Sequence, residues 1–167
     1  MLPRKGYRVK PVSITEVREM YEMRQLLERS CVARLVEYGS ESDLRSLDIY
    51  RHMPANIDLE SWVSHNRQFH TALANLCGNS RLARVTRETI AQFDRLIFAQ
   101  FDRSIQANAN AGQYEIAILQ SFVDEHAQII DAIQRRDKRQ AVALIRAHVR
   151  SSQDMLLAQI GSLAVIP

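Results

Sequence analysis

Proline and glycine are scarce in this chain. Of its four prolines, three stand at positions 3, 11 and 167, so Pro54 is the single hard break in the middle, which favours helices. Cysteine is nearly absent too. Cys31 and Cys77 lack metal-type spacing and fall among apolar residues, so they read as reduced, buried thiols, in keeping with a cytoplasmic compartment. No apolar run approaches the roughly 18 residues that span a bilayer, and the first residues lack the apolar stretch of a signal peptide. These absences predict a soluble, intracellular protein with no membrane partner. Internal repeats and low-complexity tracts are also missing.

What is present is ordinary for a globular domain. The 167 residues and 19.2 kDa suit one domain with a real core, and 46% hydrophobic with 25% charged residues is a common balance. A net charge of +3 permits nucleic-acid contact without requiring it. The tightest basic cluster, Arg135-Arg136-Asp137-Lys138-Arg139, reads as a solvated helix junction, because a DNA footprint needs a basic face.

The segment from Arg4 to Pro11 reads as a short strand closed by proline. Ser13 and Glu16 then form a capping box, and a helical stripe follows through Val17, Met20, Leu27, Cys31 and Leu35. Gly39 ends that helix, and Ser40 with Asp43 starts a second through about Arg51. After a linker at Met53-Pro54-Ala55, a third helix covers about Asn56 to Leu76 and stops at Gly78. Asn79 caps a fourth to about Ala107, and Asn108 to Gly112 forms a turn. The last two helices, about Gln113–Gln134 and Lys138–Ile160, are divided by Asp137 as an N-cap. Long helices with short loops predict an all-α antiparallel bundle of six to seven helices.

The informative residues are polar groups on apolar stripes. Asn66 and His70, four apart, share the inner face of the third helix. His126 lies on the fifth helix among Phe122, Val123, Ile129, Ile130 and Ile133, and His148 on the sixth among Ala141, Leu144, Ile145 and Met155. His52 and His65 fall at positions expected to be solvated. One inner histidine alone reads as a satisfied core residue. Burying three imidazoles and an amide without partners costs on the order of 1–3 kcal/mol each. A divalent cation removes that cost, since neutral imidazole is a preferred ligand, and three histidines plus one oxygen leave positions open for a ligand's oxygens. Arg24 is a second anomaly, sitting between Met20 and Leu27 on the first apolar stripe. It either pairs with Glu28 one turn on, or aims its guanidinium into the bundle at a carboxylate; periodicity alone leaves both open.

Five segments in order resemble a known family: Arg24 to Glu28, Asn66 to His70, Cys77-Gly78-Asn79, Glu125 to Ile133, and Asp137 to His148. They are similar to the FadR-type C-terminal domain (FCD) of GntR-family transcription regulators, over about residues 15–155. Lys5 to Val9 also resembles the last wing strand of the winged helix that precedes this domain in the family. The resemblance implies a wing remnant and linker at 1–12, an effector-binding domain at 13–160 and a tail at 161–167. It implies a homodimer that contacts DNA only through the winged-helix domain, most of which is expected to be absent from this chain. In metal-containing members an aspartate and three histidines hold the ion, and a small organic acid completes its coordination. His70, His126 and His148 match the histidines, and Arg24 matches an arginine that faces the effector pocket. Asn66 stands at the aspartate position, a departure, because an amide oxygen is a neutral and weaker ligand. Zinc is the expected metal, with nickel and manganese as alternatives.

Two other functions compete. An open three-histidine site could activate water in a metal-dependent enzyme, but no HExxH pattern occurs, and Glu125 projects about 100° around the helix from His126. A purely structural dimerisation module would need its inner polar groups to satisfy one another. The expected function is therefore a regulator and not an enzyme.

Overall fold

The computed structural model describes the backbone of residues 13–53, 59–107 and 112–163, and the side chains of 13–53, 60–93 and 119–158. The strand expected before Pro11, the linker at 54–55 and most of the turn at 108–112 lie outside those residues. Among the described residues six α-helices form: α1 (Ile14–Tyr38), α2 (Glu41–Arg45), α3 (Leu59–Asn75), α4 (Ser80–Ala107), α5 (Gly112–Gln134) and α6 (Lys138–Leu163). A 3-10 segment, Ser46–Tyr50, continues α2 to Arg51, where the sequence predicts one helix.

Local chemistry sets the boundaries. Ser13 and Glu16 form the reciprocal capping box at the start of α1, and Ser40 with Asp43 repeats it for α2. Asn79 Oδ1 accepts from the Leu82 amide at the start of α4, and Asp137 Oδ1 accepts from Gln140 before α6. Gly78, between α3 and α4, has φ +67, the left-handed conformation glycine adopts freely. Gly39 is required for a different reason. Its φ is −64, but an added Cβ would lie 2.6 Å from the Leu35 carbonyl oxygen and 2.7 Å from Leu35 Cδ1.

α1 and α6 pack along each other: Tyr21 bonds Ser152 at one end and Glu37 pairs with Lys138 at the other, so they run antiparallel. α3 packs on α4, and α5 on α6, completing the bundle. The basic junction between α5 and α6 is a structural clamp. Arg136, at φ 56, donates to the carbonyls of Val36 and Gly39 and pairs with Glu41. Arg51 likewise ties the 3-10 segment to α5 through Asp131 and Gln134. The core runs through Val17, Leu35, Phe69, Ile130, Ile133 and Ile145. Cys31 and Cys77 are free and buried in a smaller cluster with Ala74 and Ala83, and burial pushes the Cys31 thiol up to about 12. Among the described residues, no helix is long and apolar enough to cross a membrane.

Candidate metal centre

The buried stripe of α1 passes through Val17, Tyr21, Arg24, Glu28, Val32 and Leu35. It therefore runs through Tyr21 rather than Met20, and it carries an ion pair across the middle of the bundle. Arg24 and Glu28 are each only 1% exposed. Arg24 makes the helix pair, its Nε donating to Glu28 Oε1 at 2.6 Å, and it does so inside the bundle. Its guanidinium lies over the Phe93 ring, 4.3 Å from the centroid, which adds a cation–π contact.

His70 on α3, His126 on α5 and His148 on α6 converge beside this pair. One nitrogen from each lies within 4.8 Å of the others, and all three rings are buried. Nδ1 of His70 donates to Glu28 Oε2 at 2.6 Å, and Nδ1 of His148 donates to Glu125 Oε2 at 2.6 Å. These bonds turn both Nε2 atoms inward, 3.2 Å apart, and Arg24 Nη2 also reaches His70 Nε2 at 3.2 Å. Phe69 stacks on the His126 ring at 3.9 Å between centroids. Neither nitrogen of His126 has a hydrogen-bond partner among the described residues, although both are buried.

The electrostatics keep His70 and His126 neutral. Burial pushes His70 down to about 4, with Arg24 adding to the effect and Glu28 opposing it. Burial, with His148 and His70 nearby, puts His126 well below its ordinary value. Burial alone would raise Glu28, but Arg24 and His70 beside it hold its carboxyl well below the usual carboxylate range. The Nε2 atoms of His70 and His148 stand 3.2 Å apart. Nitrogens bound to one tetrahedral zinc at about 2.1 Å are about 3.4 Å apart. The donor set and the buried His126 nitrogens, without a hydrogen-bond partner among the described residues, thus fit a divalent metal.

A sequence model of the FCD domain family matches residues 19–151. The chain belongs to the FCD domain family. It is 22% identical over 153 residues to the HTH-type transcriptional repressor GlaR of Escherichia coli (strain K12), covering 87% of this chain and 66% of that protein. The chain thus spans just under two thirds of that repressor. Two solved structures share its fold. E. coli McbR/YncC matches with a TM-score of 0.78 at 18% identity, over 96% of this chain and 73% of the other. A GntR-family transcriptional regulator from Pseudomonas syringae pv. tomato str. DC3000 matches at 0.72 and 18%, over 98% and 64%.

Within this FCD domain, the four residues singled out on inner stripes, Asn66, His70, His126 and His148, are all buried. Asn66 sits one turn before His70 on the same face of α3, 6% exposed. His52 is exposed as expected, but His65 is not the solvated residue its position suggests. It is half-buried, its Nε2 is buried without a partner, and its ring lies 6.4 Å from that of His126. Tyr50 from the 3-10 segment packs against it, a tertiary contact that α3 periodicity alone does not contain. Sequence reasoning named Glu28 only as a partner of Arg24 and Glu125 only as a general base to reject, and missed their bonds to His70 and His148. Glu28 could have been found by extending the stripe from Tyr21 through Arg24. For Glu125 no such signal exists, because its side chain reaches across to α6 from a position off the inner face.

Proposed function

We propose that this FCD domain is the effector-sensing part of a GntR-family transcription regulator, and that it reads a small carboxylate at a divalent metal. The carrying observation is the set of three buried imidazoles with converging nitrogens, one of them, His126, without any other partner. His70, His126 and His148 would hold the ion, zinc before nickel or manganese, and Asn66 would contribute an oxygen or stand just outside it. When bound, the metal supplies a Lewis-acidic anchor for carboxylate oxygens. Glu28 and Glu125 orient His70 and His148 through their Nδ1 atoms. Arg24 Nη2, 3.2 Å from the His70 Nε2 that would hold the ion, would bind the effector carboxylate. The guanidinium is suited to that contact.

A groove of about 730 Å³ between α1 and α4 is a poorer effector site, because Glu16 and Glu19 line it with negative charge. Control of DNA binding would follow from different effector affinities in two domain arrangements, within a homodimer that contacts DNA through a winged-helix domain. Exposed Met23 and Leu26 on α1 offer apolar surface for the homodimer. The matched relatives are named as regulators, which favours sensing over turnover.

Elemental analysis tests the metal. We expect one divalent ion per chain, most of it lost in His126→Ala and retained in His52→Ala; equal metal in both variants, or none in the parent, rejects the centre. Asn66→Asp extends the test. A carboxylate in a partly buried site attracts the cation directly, so metal affinity should rise while affinity for carboxylates falls. Unchanged or weaker metal binding by the aspartate variant rejects a coordinating role for Asn66. Thermal shifts with small hydroxy and dicarboxylic acids, in zinc-loaded and metal-free protein, then identify the effector class.

A further inference from the structure

A metal-bound histidine uses one ring nitrogen for the ion and donates the other N–H to a fixed partner, which holds the ring and sets its tautomer. His70 has Glu28 in that role and His148 has Glu125. Among the described residues, no carboxylate bonds His126. The described ionisable groups acting on it include His148, His70, His65 and Arg24. Phe69 covers one face of the ring at 3.9 Å, so its polar edges can be met only in the ring plane.

Of these neighbours, His148 and His70 belong to the proposed ligand set and Arg24 is committed to Glu28. His65 differs. The Tyr50 backbone acts on its ring as a hydrogen-bond acceptor, and since its Nε2 has no partner among the described residues, Nδ1 is the nitrogen placed to donate there. An imidazole that donates from Nδ1 keeps Nε2 as a bare acceptor. That acceptor is buried, on a ring tilted 31° from His126 with centroids 6.4 Å apart. The spacing is too long for a direct bond. Centroids that far apart leave facing ring nitrogens at least about 4 Å apart, within the roughly 4.5–5 Å that one bent bridging water spans. On its outer side His65 borders a surface hollow of about 400 Å³, lined also by Glu60, Ser61, Ser64 and Gln68.

We propose that His65 is the positioning partner of His126: its Nε2 accepts, through one bridging water, the ring N–H that His126 does not direct at the metal. The centre then has two carboxylate-backed histidines and one backed by a neutral imidazole. The consequence for metal affinity rests on the metal reading above, whereas the effect on the His126 tautomer does not.

Two near-isosteric substitutions separate this role from simple packing. His65→Gln places an amide oxygen near the position of Nε2. His65→Asn keeps a donor near Nδ1 for Tyr50 but removes the Nε2 acceptor. Zinc affinity by competition titration should fall roughly 10–100-fold in His65→Asn and stay within about threefold of the parent in His65→Gln. Ring ¹⁵N spectra of His126, in metal-free and zinc-loaded protein, should change in the Asn variant and persist in the Gln variant. Thermal melts check that both remain folded. Parent-like zinc affinity and an unchanged His126 ring signal in His65→Asn overturn the proposal, as does equal damage in both variants. If the parent binds no zinc, the metal reading fails, and the metal-free ring spectra alone decide the His65 role.

Discussion

Glu28→Gln is the sharpest perturbation the structure offers, because it removes one charge from the centre of the bundle without changing shape. Both Arg24 Nε and His70 Nδ1 donate to this carboxylate, at 2.6 Å each. A carboxylate accepts from both; a glutamine amide has one oxygen, so its NH₂ must face a donor. The loss is therefore double: a donor–donor conflict, and removal of the carboxylate that pairs with an Arg24 guanidinium only 1% exposed. Breaking a buried ion pair in this way costs about 3–5 kcal/mol. For a domain of this size that corresponds to a fall in Tm of roughly 6–20 °C. Urea unfolding and thermal melts of the metal-free protein at pH 7 measure it. Arg24→Met combined with Glu28→Met should recover most of the loss, since an apolar pair of similar volume leaves no orphaned charge. Zinc affinity should also fall in Glu28→Gln, by about 10–100-fold, because His70 is no longer held with Nε2 bare. A Tm within about 3 °C of the parent, with zinc affinity unchanged, would show that the pair neither holds the core nor orients His70.

The metal-free domain should lose stability in mild acid. His70 titrates near 6.5 when unfolded and near 4 when folded, so the unfolded chain binds more protons between those values; stability is full above pH 6.5 and declines as pH falls toward 4, by about 3 kcal/mol from this residue. Burial shifts His126 in the same direction, and a flat urea midpoint from pH 7 to 4 would refute this assignment. Gly39→Ala should destabilise by about 1–3 kcal/mol through overpacking against Leu35. Gly78→Ala should cost about 1 kcal/mol through its positive φ alone, since the nearest atom to an added Cβ is 3.9 Å away. Chemical denaturation ranks the pair, and a greater loss at Gly78 than at Gly39 would refute the steric account.

Periodicity and capping chemistry are local properties, and the sequence by itself determined what depends on them. The capping boxes at Ser13 and Ser40, the caps at Asn79 and Asp137, and the stops at Gly39 and Gly78 follow from groups within a few residues of one another. The inward faces of α3, α5 and α6 were equally readable, because a 3.6-residue period places Asn66, His70, His126 and His148 among apolar neighbours. What periodicity cannot carry is the partner a side chain meets on another helix. Glu28 looked like a surface helix pair with Arg24 until α3 brought His70 against it, 42 residues away in sequence. Glu125 lies off the inner face of α5, yet its side chain reaches α6 to bond His148. His65 was placed in solvent by its helix position, and packing of Tyr50 and His126 around it buried Nε2 instead. Even Gly39, recognised as a helix stop, is glycine because Leu35 and Leu44 leave no room for a Cβ. The sequence could place three histidines on three inner faces; only their convergence in space, set by how α1, α3, α5 and α6 pack, brought their nitrogens to one point and decided which carboxylate stands behind each ring.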